Sequence, residues 1–147
     1  MTDNKPLEDI LKELKQYAEE QKQILDHLAQ VEKPLWVQEG EKKKLLRIGE
    51  IAFMTTNEKG LELYTIDGKK YINFDSISHV EKEFAHDQRL MKTHRSFIVN
   101  LNHIDTIATV SGGRNLTFKG LSEEIMAKVT YEYVDRFLER LGASNEI

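Results

Sequence analysis

The 147-residue sequence predicts a mainly β, antiparallel domain with short helices, preceded by an N-terminal amphipathic helix. Three observations lead there. Apolar residues recur at three-four spacing from Leu7 to Val31, strand-forming runs flank Asp67-Gly68, and two further runs flank Ser111-Gly112-Gly113. A heptad seam builds a helix with one adhesive stripe, whereas a glycine-containing turn between strand-forming runs builds a hairpin.

The helix comes first. Leu7, Leu14, Gln21 and Leu28 fall at heptad position a, and Ile10, Tyr17, Ile24 and Val31 at d, a little over three heptads. Leu11, Ala18 and Leu25 add a third apolar file at e. Isolated helices this short rarely persist in water, so the stripe is expected to be covered. Homodimerisation through Leu7, Ile10, Leu14, Tyr17, Ile24, Leu28 and Val31 is one way, and docking on the chain's own domain is the other. Gln21 at a costs stability but can fix register and partner number. Pro34 ends the pattern, because the residue before proline avoids helical angles. Residues 32–44 then read as a connection, residues 1–35 as a dimerisation helix and residues 36–147 as the main domain. Trp36 and Val37 read as an apolar latch between connector and domain.

Leu45–Thr55 and Gly60–Ile66 read as strands. Asp67-Gly68 supplies the positive backbone angles of a tight turn, and Lys69–Phe74 returns as the partner strand. Ser76 is a helix cap ahead of Ile77, Val80 and Phe84 at helical spacing. Ile104–Val110 and Arg114–Lys119 form the second hairpin. Ser122, Ile125, Val129, Tyr133, Val134, Phe137, Leu138 and Leu141 suggest one closing helix that Gly142 ends, with Glu123-Glu124 in its acidic first turn.

Between these elements lies Met91–Ile104, MKTHRSFIVNLNHI, a cationic turn joined to a strand-forming run. An Arg held at the rim of a sheet can reach phosphate or a guanine edge with two parallel hydrogen bonds. By its residues alone, the segment reads first as an ordinary solvated strand start. His94 either contacts a ligand or caps the turn and fixes the direction of Arg95. Asn100 and Asn102 either read bases or close the loop onto its backbone.

The run His94-Arg95-Ser96-Phe97-Ile98-Val99-Asn100-Leu101 resembles the signature of the LytTR family of bacterial DNA-binding domains, and weaker similarity extends from about Lys42 to Leu141. The resemblance implies an elongated antiparallel β-fold that sends loops into the major groove of double-stranded promoter DNA. It implies DNA contacts at Arg95, His94, Lys92, Lys59 and Asn57. Members of that family usually carry a basic cluster just before the last helical turn, and the nearest equivalent here is Val129-Thr130-Tyr131-Glu132. Tyr131 can donate one hydrogen bond to a phosphate, whereas Glu132 repels it.

Net charge is −4, a difficulty for a nucleic-acid partner because phosphate neutralisation supplies much of the affinity. Residues 1–35 hold five lysines against eight acids, and the remainder is nearly neutral. Binding therefore depends on local clustering of Lys42, Lys43, Lys44, Lys59, Lys92, Arg95, Arg114 and Lys119. The chain has no cysteine, no apolar run long enough to span a bilayer and no signal-peptide layout, so a cytoplasmic protein without membrane insertion is expected. No nucleophile, acid-base pair, phosphate loop or zinc spacing stands out, so neither an enzyme, a metal site nor a cofactor is expected. Two functions remain: a homodimeric transcription regulator, or the same fold working as a protein-interaction module that antagonises a related regulator through a protein partner.

Overall fold

The computed structural model describes residues 5–31 and 33–143, with the side chains of 5 and 26–31 left out of the description. The chain divides into two compact units, residues 1–33 and 34–147. The first contains helix α1, Lys5–Val31. Its stripe is present and exposed: Leu7, Ile10, Leu11, Leu14, Tyr17, Ile24 and Leu25 are each more than half accessible. The side chains of Leu28 and Val31 lie outside the described residues.

Among its described residues, the second unit carries ten strands in two antiparallel sheets. Strands β1 (Leu35–Glu39), β2 (Lys42–Leu46), β3 (Ile51–Thr56), β4 (Leu61–Thr65), β5 (Lys70–Asn73), β6 (Leu90–His94) and β7 (Phe97–Asn100) form a sheet in the order β2-β1-β5-β4-β3-β7-β6. Strands β8 (Ile104–Val110), β9 (Gly113–Phe118) and β10 (Ala127–Thr130) form the other, in the order β10-β9-β8. Helix α2, Ile77–Glu83, follows β5, and helix α3, Tyr131–Leu141, closes the chain.

Burial explains the layering. Ile51, Met54, Leu61, Leu63 and Ile98 on one face of the large sheet pack with Ile77, Val80 and Phe84 around α2. Ala52, Phe53, Met91 and Val99 on the other face pack with Leu116, Phe118, Val129, Phe137 and Leu138 from the small sheet and α3. Strand β3 is therefore covered on both sides, which is why Ile51-Ala52-Phe53-Met54 reads as an unbroken apolar run. Phe53 sits at the centre of the second core, stacked on Tyr64 at 4.6 Å and Phe118 at 4.8 Å.

The hairpins at Asp67-Gly68 and Ser111-Gly112, the Ser76 cap and the Gly142 stop lie where the sequence puts them. The Ser76 hydroxyl accepts the His79 N–H at 3.1 Å. The Gly142 and Ala143 N–H groups donate to the Glu139 and Leu138 carbonyls, the double bond pattern of a Schellman stop.

Three expectations fail. Leu45–Thr55 is not one strand, because Ile48–Glu50 forms a turn of 3-10 helix between β2 and β3. Residues 32–44 are not merely a connection: Leu35–Glu39 pairs with Lys42–Leu46 across a two-residue turn. Gly40 takes φ 59° as its first central residue, the place where such turns favour glycine. Lys42, Lys43 and Lys44 hid the strand because all three are exposed on an edge, where charge discourages further pairing. The closing helix also starts later than the spacing suggests. Ala127–Thr130 is a strand with alternating burial, paired with Gly113–Leu116, and Glu123-Glu124 lie in the turn before it. Ile125, Val129 and Tyr133 happen to be four apart, but Val129 earns its burial as a strand residue.

Candidate nucleic-acid interface

The signature run folds as the β6–β7 hairpin, with Arg95-Ser96 as its turn and His94 opposite Phe97. An irregularity in the ladder between Lys92 and His94 changes the aim of the strand just before the turn. His94 Nδ1 accepts the Ser96 N–H at 2.9 Å, and the ring stands edge-on to Phe97 at 5.3 Å. Burial, then the charges of Arg95 and Lys128, hold this imidazole below its ordinary value, against a smaller opposing pull from Glu132. A neutral Nδ1 is what the bond to Ser96 requires, so hydrogen bonding and electrostatics agree. His94 braces the turn from beneath, and Arg95 is exposed at its apex.

The β3–β4 loop lies beside this turn. Thr56 N–H donates to the Ser96 carbonyl at 3.1 Å, continuing the β3–β7 pairing of Thr55 with Phe97. Asn57 Oδ1 accepts the N–H groups of Lys59 at 2.9 Å and Gly60 at 2.7 Å, while its own N–H donates to the Gly60 carbonyl at 2.9 Å. Asn57 is thus committed to shaping the loop, and Lys59 is left exposed on it. Gly60 adopts φ 150°, and a Cβ there would stand 2.5 Å from the Asn73 carbonyl oxygen. No other residue fits that backbone.

The start of α3 reaches the same end of the domain by side-chain bonds. Thr93 Oγ1 donates to the Lys128 carbonyl at 2.8 Å, and Thr130 Oγ1 donates to the Thr93 carbonyl at 3.4 Å. Tyr131 is 82% exposed there, with Glu132 next to it and also exposed. Arg95, Lys59 and Tyr131 therefore share one end of the domain, His94 and Asn57 support it, and Lys92 turns away. The Lys92 ammonium lies 3.7 Å from Glu81 on α2, with its side chain only 22% accessible.

The wider basic cluster does not assemble. Lys42, Lys43 and Lys44 line β2, the edge of the large sheet farthest from β6, and Lys119 follows the end of β9 remote from Gly113. Arg114 remains near the interface end, opposite Val129, with Nη1 donating to the Gly113 carbonyl at 2.9 Å. Lys128 was missed in the sequence because its segment read as helix. Its exposed side chain projects from β10 close enough to depress His94. Asn100 is fully buried and bonds the Ile48 carbonyl and the Asn102 N–H, so it closes the backbone and cannot read a base.

A grouping with a single histidine lies along α2. Asp75, His79 and Glu83, one helical turn apart, bring their ligand atoms within 4.8 Å of one another. Asp75 already bonds His79 and the Ser76 N–H, which accounts for it as support for the start of α2.

Residues 41–142 match the model of the LytTr DNA-binding domain. The chain belongs to the LytTR family. Among solved structures it is similar to the LytTr DNA-binding domain of a putative methyl-accepting/DNA response regulator from Bacillus cereus. That likeness has a TM-score of 0.61 at 16% identity and covers 74% of this chain and 96% of the other. No curated protein gives a significant match. The LytTR fold, antiparallel sheets with short helices, is the one expected from the signature run, and the family places the protein among DNA-binding regulators in general terms. Within the LytTR domain, the hairpin of the signature run presents Arg95 exposed at its turn, while the other exposed arginines, Arg47, Arg136 and Arg140, lie before the 3-10 turn at Ile48 and on α3. None of the described helices is long and apolar enough to cross a membrane.

Proposed function

We propose that this protein is a cytoplasmic, sequence-specific transcription regulator that inserts the β6–β7 turn and the β3–β4 loop into the major groove of promoter DNA as a homodimer. The observation that carries the reading is the exposed Arg95 on a turn braced by His94 and tied to the Lys59 loop through Thr56 and Ser96. A guanidinium mounted on an ordered turn loses less freedom on meeting a base edge than one on a loose tail. Lys59, Lys128 and Tyr131 supply phosphate contacts around it, and His94 acts mainly as the brace. Lys92 enters only by leaving Glu81.

Dimerisation compensates for a nearly neutral domain. Joining two of them raises the effective concentration of the second at an adjacent half-site, and the exposed stripe of α1 is the joining surface. Gln21 at position a favours a parallel, in-register pair, in which each amide meets its own counterpart in place of an apolar side chain.

A salt series of promoter-fragment binding tests the reading. Wild type gives a steep dependence on salt, and Arg95→Ala weakens binding by about 1–3 kcal/mol with relaxed sequence preference. Absent binding at low salt favours a second reading, an antagonist that uses the same fold to engage a regulatory protein. Glu132, exposed at the first turn of α3, is the observation on its side.

A further inference from the structure

The outer face of β1 and β5 carries two large aromatic side chains that neither the core nor the proposed DNA surface uses. The register places Gln38 opposite Ile72, which brings Trp36 level with Phe74, and Asn73 Nδ2 donates to the Trp36 carbonyl at 2.6 Å. Val37, the alternate residue, is 2% exposed and serves the core, while Trp36 is 56% and Phe74 66% exposed. Between them lies a shallow depression of about 140 Å³ with Ile72, Gln38 and Lys43 on its walls and no carboxylate. Exposed Trp beside another aromatic on a rigid sheet has the composition of a binding hot spot.

We infer that this Trp36–Phe74 face is a contact between two copies of the chain, adding to the joining surface of α1. The inference rests on the helix-mediated dimer proposed above. The occupant follows from chain connectivity. Trp36 stands five residues beyond Val31, so it lies within about 17 Å of the end of α1 even in fully extended chain. In a parallel pair with axes about 8–10 Å apart, the two Trp36 residues are therefore separated by at most about 45 Å. That is short of two domain widths, since a domain of this size has a radius of gyration of about 13 Å. The tether thus keeps the two β1 faces within reach of each other. A two-fold axis sets a patch against itself, and an apolar centre with its one cation, Lys43, to the side tolerates that arrangement without opposing like charges. The helical seam is short and broken by Gln21, so a second contact also fixes how the two DNA-facing ends are spaced.

Trp36 is the only tryptophan in the sequence, which makes it its own reporter. The full chain is diluted through its dimer–monomer transition, followed by sedimentation and by acrylamide quenching of Trp36 fluorescence. Quenching is expected to rise several-fold as the dimer dissociates, and Phe74→Ser to raise the dissociation constant about tenfold, the loss of roughly 1.4 kcal/mol. Phe74 is exposed, and circular dichroism of the variant verifies that the domain stays folded. A dimer whose Trp36 remains as quenchable as in the monomer overturns this inference and leaves the helix dimer standing. Shielding already complete in the monomer, or appearing only on addition of DNA, overturns it too, by assigning the face to another occupant. A chain that is monomeric at every concentration removes the helix dimer and this contact together.

Discussion

The amide of Thr56 donates to the carbonyl of Ser96 at 3.1 Å, so the Lys59 loop and the Arg95 turn are held as one surface by the backbone itself. Substituting the exposed cations should therefore leave the scaffold intact. Arg95→Ala and Lys59→Ala are expected to change the melting temperature little, as surface substitutions usually fall within about 0.5 kcal/mol. Their effects on DNA differ in kind. Arg95→Ala loses discrimination among sequences, whereas Lys59→Ala weakens all sequences alike and lowers the salt slope by about one. Equal losses on cognate and scrambled DNA for both variants would count against Arg95 as the reader.

Gly60→Ala should damage the same surface through the fold. The substitution places a Cβ against the Asn73 carbonyl at a backbone angle that side chains rarely adopt. We expect a loss of about 2 kcal/mol or more in urea unfolding, together with weaker DNA binding. An unchanged unfolding midpoint contradicts the assigned loop geometry.

His94 links stability to pH. Its native value lies below the ordinary 6.5, so the unfolded chain takes up the proton first as the solution is acidified. Stability therefore falls as pH drops below about 6.5, and continues to fall until the native imidazole also protonates. NMR titration of the ring and urea unfolding at stepped pH test this. His94→Gln should flatten that part of the profile, and a native value above 6.5 would reverse the sign and refute the brace.

Asp87 is the lower-pH counterpart. Burial pushes its carboxyl up, but hydrogen bonds from the Arg89 side chain and backbone, and the Arg89 charge, outweigh it and leave the group below its ordinary 3.8. Arg89 Nε and Nη2 grip the two oxygens at 2.9 and 2.7 Å. The stabilisation is present above the ordinary value and is lost as pH falls through the lower native one. Asp87→Ala removes a buried carboxylate and its two charge-assisted hydrogen bonds from the Arg89 side chain, and about 1.5–3 kcal/mol should disappear at neutral pH. A loss under about 0.5 kcal/mol would mark the pair as an ordinary surface contact.

Glu132→Arg tests the choice between regulator and antagonist. Reversing the charge beside Tyr131 should tighten DNA binding and steepen the salt slope by about one to two contacts if that end faces phosphate. An unaffected affinity places the start of α3 off the duplex.

What could be read from the sequence was local. Asp67-Gly68, Ser76, Gly142 and the run from His94 to Leu101 each declare their structure within a few neighbours, and the structure keeps them. The strand Lys42–Leu46 was illegible because edge strands carry charge for reasons of solubility, which erases the apolar alternation. Ala127–Thr130 was illegible because four residues are too few to separate a strand period from a helical one. The site was half legible. Arg95 and Lys59 are exposed on neighbouring turns, but the bond that sets Lys128 beside Thr93 joins residues 35 apart in sequence, and the diversion of Lys92 to Glu81 depends on α2 packing over β6. Such partners are chosen by tertiary register, which no window of the chain contains.

Two threonine hydroxyls, and no ladder of amides, fasten the beginning of α3 beside β6. Neither bond acts alone, since β10 is laddered to β9 and Val129, Val134 and Phe137 are sunk in the core behind it. The span from Tyr131 to Arg95 is thereby set by how the small sheet seats on the large one, so a cavity cut under Val129 or Phe137 would shift that span without touching either exposed residue.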